Sequence, residues 1–313
     1  MIRVLFSGGG GAGNEALYRL IGHKYELHFG DADITAIDPI IPADRKHQLP
    51  WASDPEFVGK ISALCRDWSI DVLIPGVDEE LLMFAKNADA FSPTRLLLPD
   101  AEYIETMLDK LQMVRNLCAR HIPAPFSQTL LENLDNIRFP CIAKPRQGRG
   151  SRDVRILKNK NEAISLRSTL GDLAEQTLIQ EKINGVEYTV QMIADDKDLL
   201  RAIVPVRVDL KRGITIRAET EAELNVMAAC QAIHQAIPTS GCYNIQLMLT
   251  PEGCVLPFEI NPRISTTFCL VVAAGIDPIQ IFLGQTPSTG ATVFATGMQL
   301  RRHWVNVFSN AGV

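Results

Sequence analysis

Cys141-Ile142-Ala143-Lys144-Pro145-Arg146-Gln147-Gly148-Arg149-Gly150-Ser151-Arg152 reads as a strand, a loop and the approach to another strand. A lysine closes the apolar run, where an unpaired ammonium is costly to bury. Two glycines and three arginines follow it. Glycines let a backbone approach a ligand closely and cations offset charge, so such a strand–loop–strand can fold over a triphosphate. A solvated basic hairpin tip would account for the arginines but leaves Lys144 unexplained.

Downstream of this stretch strands dominate. They are expected at 140–144, 154–157, 178–180, 187–194, 199–210, 214–217, 244–249 and 255–260, with one clear helix at 221–237. Asn184-Gly185 and Asp195-Asp196-Lys197-Asp198 mark turns between them. Glu181 ends one strand and Glu187 begins the next, and a carboxylate there can accept from two ribose hydroxyls. Taken alone, that segment is an ordinary turn with charged flanks. Pro251-Glu252-Gly253 turns the last two strands into a hairpin. With a loop at 251–254, Thr250 faces Val255 and Gln246 faces Glu259. Side chains alternate along a strand, so Asn261 and Arg263 share the face of Glu259. Leu256, Phe258 and Ile260 then bury the other face. Gln246, Glu259 and Asn261 together present hard oxygen atoms suited to magnesium bridged to phosphates. Arg263 adds a cation that can meet a transferred phosphoryl group.

Upstream the pattern is different. Residues 2–6 form a short apolar run ending in Ser7-Gly8-Gly9-Gly10-Gly11-Ala12-Gly13, and 14–21 reads as a helix. A strand at 33–37, a helix at 56–68 with Phe57, Ile61 and Leu64 on one stripe, a strand at 71–74, a helix at 81–85 and a strand at 95–98 follow. Such alternation is a doubly wound parallel sheet, here a domain spanning 1–105. One or two helices at 101–121 stop at Ile122-Pro123-Ala124-Pro125. The glycine run satisfies GxGxxG and can present backbone amides to an anion at Gly10 and Gly11. A dinucleotide site would recruit Asp31, Asp33 or Asp38; a glycine-rich first turn of any doubly wound sheet would look the same. Asp78 follows a parallel strand at the carboxyl edge, where substrates bind in such folds, although acidic residues there also suit the helix dipole.

The whole chain is 313 residues with 46% hydrophobic and 21% charged residues and a net charge of −5. That hydrophobic content supports packed cores and argues against disorder. The mild acidity gives no electrostatic footprint for nucleic acid or an anionic membrane. No run approaches the roughly 20 apolar residues of a membrane span, and the start is too short in apolar residues for a signal peptide. The seven cysteines contain no CxxC, which fits reduced thiols, mostly buried, in a cytoplasmic protein.

Together these segments resemble the ATP-grasp superfamily, most closely the ATP-binding halves of the carbamoyl-phosphate synthase large subunit and related carboxylate–amine ligases. The likeness runs through Asp109-Lys110, Ala143-Lys144-Pro145 with its Gly-Arg-Gly-Ser loop, Gln180-Glu181-Lys182-Ile183 and Gly185-Val186-Glu187-Tyr188. Asn244-Ile245-Gln246 and Phe258-Glu259-Ile260-Asn261-Pro262-Arg263 complete it. It implies an α/β chain: an amino-terminal doubly wound, pre-ATP-grasp domain, then an α+β ATP-grasp domain over 106–313 with a small β lid lobe at about 122–183. Lys110 and Lys144 would contact ATP phosphates, with Lys144 also near the purine. Gly148, Arg149, Gly150 and Ser151 would lie in the phosphate loop. The backbone at Glu181 and Ile183 would read the adenine edge, and Glu187 would hold the ribose. Gln246, Glu259 and Asn261 would ligate magnesium, with manganese as a substitute, and Arg263 would face the γ-phosphate. Lys144 and Arg263 are the catalytic candidates; Gly10, Gly11 and Asp78 are those for substrate.

The implied activity is an ATP-dependent ligase that converts a carboxylate to an acyl-phosphate for attack by an amine or other nucleophile. Its partners would be small molecules, and a homo-oligomer is compatible with the sequence. A full carbamoyl-phosphate synthase chain carries two such halves and this chain has room for one, so carbamoyl-phosphate synthesis is not carried over. Two other readings stand beside it: an NAD-dependent oxidoreductase using the glycine loop, and a non-catalytic ATP-binding module.

Overall fold

The computed structural model describes residues 1–148, 150, 152–285, 293–304 and 306. The amino-terminal unit contains β1 (Arg3–Ser7), α1 (Asn14–Ile21), β2 (Glu26–Asp31), β3 (Lys46–Gln48), α2 (Phe57–Asp67), β4 (Val72–Ile74), α3 (Asp78–Lys86) and β5 (Arg95–Leu96). Its strands are all parallel in the order β3-β2-β1-β4-β5. The order reverses at β1, so the glycine loop after β1 and the start of α3 after β4 both lie at the carboxyl edge.

The second strand differs from expectation. It is β2, and the 33–37 segment holds a short 3-10 turn at Ile34–Ala36 instead. Asp33 accepts hydrogen bonds from the Thr35 backbone N–H and hydroxyl, and this local pairing bends the chain away from a ladder. Inside β2, His28 is fully buried between Leu27 and Phe29, so a polar residue type interrupts the apolar run that would have marked the strand.

Two helices, α4 (Ala101–Leu108) and α5 (Lys110–Ala119), lead out of this unit. Residue 105 lies within α4, whose Ile104 packs into the core beside α2 and α3 while Tyr103 and Met107 pack into the next one. There follow β6 (Ser127–Thr129), β7 (Cys141–Pro145), β8 (Arg155–Leu157), α6 (Lys160–Leu170) and β9 (Thr177–Glu181). They make an antiparallel sheet of order β6-β9-β7-β8 with its own small core, including Leu130, Cys141, Ala143, Leu166 and Ile179. The helix α6 was not expected; only Ala163 and Leu166 on it are buried, too weak a stripe to read, although Asn159 caps it by accepting from the Glu162 N–H.

The rest is an antiparallel sheet of order β14-β13-β10-β11-β12-β15. Its strands are β10 (Val186–Ala194), β11 (Leu200–Arg212), β12 (Ile214–Thr220), β13 (Gly241–Leu249), β14 (Val255–Asn261) and β15 (Gln299–Arg301), with α7 (Leu224–Ala236), α8 (Phe268–Ala273) and α9 (Pro278–Phe282) between them. Val190, Met192, Ile245 and Leu247 pack against Met113, Leu117, Val226 and Ile233 of α5 and α7. Ile193, Val204 and Val206 share a core with Val4, Phe6, Phe29 and Phe268. The amino-terminal sheet is thereby joined to the large sheet through common apolar packing. No helix among the described residues is long and apolar enough to cross a membrane. Five of the seven cysteines are buried and all are free thiols.

Candidate functional site

Between the small sheet and the large one lies a cleft of about 510 Å³. On β7 the alternation of side chains divides the strand between two surroundings. Cys141 and Ala143 enter the small core, while Ile142 and Lys144 line the cleft. Lys144 is 7% exposed, donates to the Phe258 carbonyl at 3.2 Å, and sits 5.3 Å from the centre of the Phe258 ring. Burial pushes its ammonium down to about 8; the Glu259 carboxylate opposes that shift, and the charges of Lys110 and Lys211 add to it.

Lys110 arrives from the head of α5. Asp109 caps that helix by accepting from the N–H groups of Leu111 and Gln112, and it pairs with Arg146 at 2.6 Å. Burial alone would raise the Asp109 carboxyl, but the Arg146 and backbone hydrogen bonds outweigh it and hold the group low. The Lys110 N–H donates to the Arg146 carbonyl, and its ammonium donates to the Gly148 carbonyl at 2.7 Å and approaches Glu259 to 3.6 Å. One helix start thus ties the β7–β8 loop to the oxygen donors of β14. Gly148 and Gly150 line the cleft; Arg149 and Ser151 lie outside the described residues.

Register decides the opposite wall. Gln246 pairs with Glu259 and Asn244 with Asn261, as expected, but the strand reaches that register by another route. Near the turn Leu249 pairs with Val255 and Leu247 with Pro257, and the register then shifts by one before Gln246. The loop is 250–254, closed by the Thr250 N–H on the Cys254 carbonyl, and Phe258 is the extra residue of a bulge. The bulge corrects the expectation that Phe258 is buried on the far face. Phe258 and Glu259 both line the cleft, and Ile260 alone of the expected trio lies in the core below.

The Asn261 amide donates to Asn244 Oδ1 at 3.2 Å, and Asn244 in turn donates to the Arg263 carbonyl. With its nitrogen held, Asn261 has Oδ1 as its acceptor. The donor set is one carboxylate and two amide oxygens, and no group of three or more His, Cys, Asp or Glu among the described residues could hold a metal. Such a set fits magnesium, which takes oxygen ligands and keeps phosphates or waters for its remaining positions.

Glu181, Ile183 and Glu187 also line the cleft. The Glu181 N–H is committed to the Phe126 carbonyl, so a base edge read at Glu181 would meet its carbonyl. Arg263 lines the cleft, bonds the Ile264 carbonyl and forms an ion pair with Asp78 at the start of α3. Asp78 itself does not line the cleft, though its neighbour Glu79 does. Gly10 and Gly11 also stand apart from it. The Gly10 N–H donates to the Asp31 carboxylate at 2.9 Å, and a Cβ on Gly10 would come within 2.5 Å of Ala36. An internal carboxylate therefore takes the amide that a pyrophosphate would need in a dinucleotide site.

Lys211 was missed. It reaches the cleft from β11 and donates to Glu187 at 2.7 Å and to Gln246 at 3.1 Å. Register shifts on either side of Leu210 set where it points, and simple alternation along the strand does not reveal them.

Comparison with known proteins places the chain among known families and folds. A profile of the ATP-grasp domain family matches residues 107–267. The carbamoyl phosphate synthase large chain of Vibrio parahaemolyticus is 26% identical over 270 residues, 79% of this chain and 24% of that protein. D-alanine–D-alanine ligase A of Bacillus cereus is 38% identical over 69 residues, 22% of this chain and 23% of that one. This chain spans about a quarter of the length of these curated relatives or less. Among solved structures, the biotin carboxylase domain of 2-oxoglutarate carboxylase from Hydrogenobacter thermophilus superposes with a TM-score of 0.67 at 15% identity, covering 92% of this chain and 71% of that chain. N5-carboxyaminoimidazole ribonucleotide synthetase from Thermotoga maritima gives 0.64 at 18%, covering 94% and 78%. These two likenesses concern the fold.

Proposed function

Because this chain belongs to the ATP-grasp family, we propose that it is an ATP-dependent ligase that activates a carboxylate as an acyl-phosphate for attack by an amine or another nucleophile. The observation carrying this reading is the convergence of Lys110, Lys144, Glu187, Gln246, Glu259, Asn261 and Arg263 on one cleft from four separate parts of the chain. In this reading Lys110 and Lys144 hold the phosphate chain, Glu187 accepts from the ribose hydroxyls, and the 181–183 backbone meets the adenine. Gln246, Glu259 and Asn261 would hold magnesium, which neutralises charge on the β- and γ-phosphates when bound.

A carboxylate oxygen of the substrate attacks the γ-phosphorus, the bond to the β-phosphate oxygen breaks, and ADP leaves. The nucleophile then attacks the acyl carbon and phosphate departs. The protein's share is positioning and electrostatics: Arg263, oriented by Asp78, faces the transferred phosphoryl group, and no side chain has to break a bond alone. The taken Gly10 amide counts against NAD at the glycine loop.

A thermal-shift comparison followed by an ADP-release assay over a panel of amino acids tests this. Mg-ATP at 100 times its Kd should add about 2.7 kcal/mol of stability while NAD adds none. Stabilisation by NAD alone would reverse the assignment, and ATP binding without ADP release on any acceptor would favour a non-catalytic module.

A further inference from the structure

We propose that Asn244 is a positioning residue that turns the Asn261 amide so that its oxygen, and not its nitrogen, faces the metal; the proposal rests on the metal assignment above. Asn261, Asn244 and Gln191 are registered side by side across β14, β13 and β10, so three carboxamides form one row on one face of the sheet. All three are buried, at 6%, 1% and 0% exposed. On one side of the row, the next pair on that face is Ile193 with Cys242, and both belong to the apolar core. On the other side it is Thr189 with Gln246, which lines the cleft. The row is thus the boundary between the oxygen donors and the core, where an unpaired amide is costly.

Main-chain groups fix which end of each amide points where. A carbonyl oxygen only accepts, and a backbone N–H only donates. The Arg263 carbonyl therefore takes the Asn244 nitrogen, at 2.9 Å. That leaves the Asn244 oxygen facing Asn261, which must present its own nitrogen there, at 3.2 Å. The Asn261 oxygen is left for the cleft, which this residue lines. Gln191 obeys the same rule: it donates to the Tyr243 carbonyl at 2.8 Å, and its oxygen accepts from the Ser265 N–H at 3.2 Å.

Only one end of an asparagine amide serves a hard cation, because the nitrogen donates and does not accept. The two ends have nearly the same shape, so packing alone does not choose between them. Asn244 chooses electrostatically: with its oxygen in place, an Asn261 amide turned over would set oxygen against oxygen. The hydrogen bonds of Gln191 go to backbone groups, so it makes no such choice. A row that only braced three strands would give the two residues the same role.

Electron paramagnetic resonance of Mn2+, which counts the free ion, tests this on the full chain saturated with ADP. Asn244→Leu should bind Mn2+ about tenfold more weakly than wild type, as when the outer partner of a metal ligand is removed. Asn261→Ala should also weaken binding. Adding Asn244→Leu to Asn261→Ala should then change nothing further, because Asn244 acts through that one side chain. Gln191→Leu takes an amide from the same row; it should melt earlier but hold Mn2+ within about twofold of wild type. Calorimetry should find the affinity for ADP without metal unchanged in every variant. Should Asn244→Leu fold poorly, Asn244→Ser is too short to reach Asn261 and gives the same cycle. Additive losses in the double variant, equal losses in Asn244→Leu and Gln191→Leu, or an unchanged Mn2+ affinity in Asn244→Leu overturn the proposal and leave the metal site standing. A wild-type ADP complex that holds Mn2+ no better than free ADP removes the metal from this hairpin, and the proposal with it.

Discussion

Replacing Lys144 by Met should stabilise the protein in the absence of nucleotide while weakening ATP binding. The ammonium is 7% exposed and its pKa falls from 10.5 to about 8. Each unit corresponds to about 1.4 kcal/mol, so the fold holds this charge at a cost of about 3 kcal/mol. The hydrogen bond to the Phe258 carbonyl returns about 1 kcal/mol, which leaves a net gain of roughly 2 kcal/mol for the methionine at pH 7. The sign with pH is opposite to that of a paired lysine. Between about 8 and 10.5 the unfolded chain binds this proton and the folded one does not, so wild-type stability gains from this group as pH rises. Melting of wild type and Lys144→Met, followed by circular dichroism at pH 7, 8.5 and 10, should show the variant ahead at pH 7 and the gap closing by pH 10. Calorimetry with Mg-ATP at pH 7 should show a loss of about 1.5–3 kcal/mol in the variant. A variant that melts below wild type at pH 7, or a gap independent of pH, would refute the view of Lys144 as a charge kept buried for a phosphate.

Glu259→Gln should abolish ADP formation while leaving most ATP affinity, because the amide keeps the shape but loses the charge that holds a hard cation; wild-type turnover would remove the metal from this hairpin. Mg-ATP binding at pH 8 should take up about half a proton as Lys144 regains its charge, seen as heats that vary with buffer ionisation enthalpy and absent in Lys144→Met. Asp78→Asn should lower kcat on the order of tenfold with little change in the KM for ATP, since it loosens the hold on Arg263 and not the nucleotide contacts. Asp109→Asn keeps a competent helix cap but loses the charge paired with Arg146; amide exchange in residues 144–148 should speed up on the order of tenfold.

Much of the fold could be read because its signals are local. The parallel unit announced itself through apolar runs alternating with helical stripes, and the ligand-facing strands through polar residues closing apolar runs, as at Lys144, Glu181 and Glu187. Where the reading slipped, a nonlocal contact had overridden the local pattern. His28 is buried because it meets His47 on the neighbouring strand at 2.8 Å, and no periodicity announces that partnership. Lys211 turns toward the cleft because β11 is irregular beside it, and Asp78 meets Arg263 across 185 residues of sequence. The hairpin pairing Gln246 with Glu259 came out as expected only because a five-residue loop and a bulge cancel in the residue count.

That cancellation bears on how the strand tolerates insertions and deletions. Phe258 has no cross-strand partner, so a chain lacking it still sets Glu259 against Gln246, with the bulge ironed flat. A residue lost between Glu259 and Asn261 instead turns the asparagine amide toward the apolar floor, where Ile260 now lies. Length variation in this hairpin can thus be accommodated at one position and not two residues further on. Shortening the strand at Phe258 would remove the ring and carbonyl that seat Lys144 while sparing the oxygen donors, cutting one function of the hairpin from the other with a single codon.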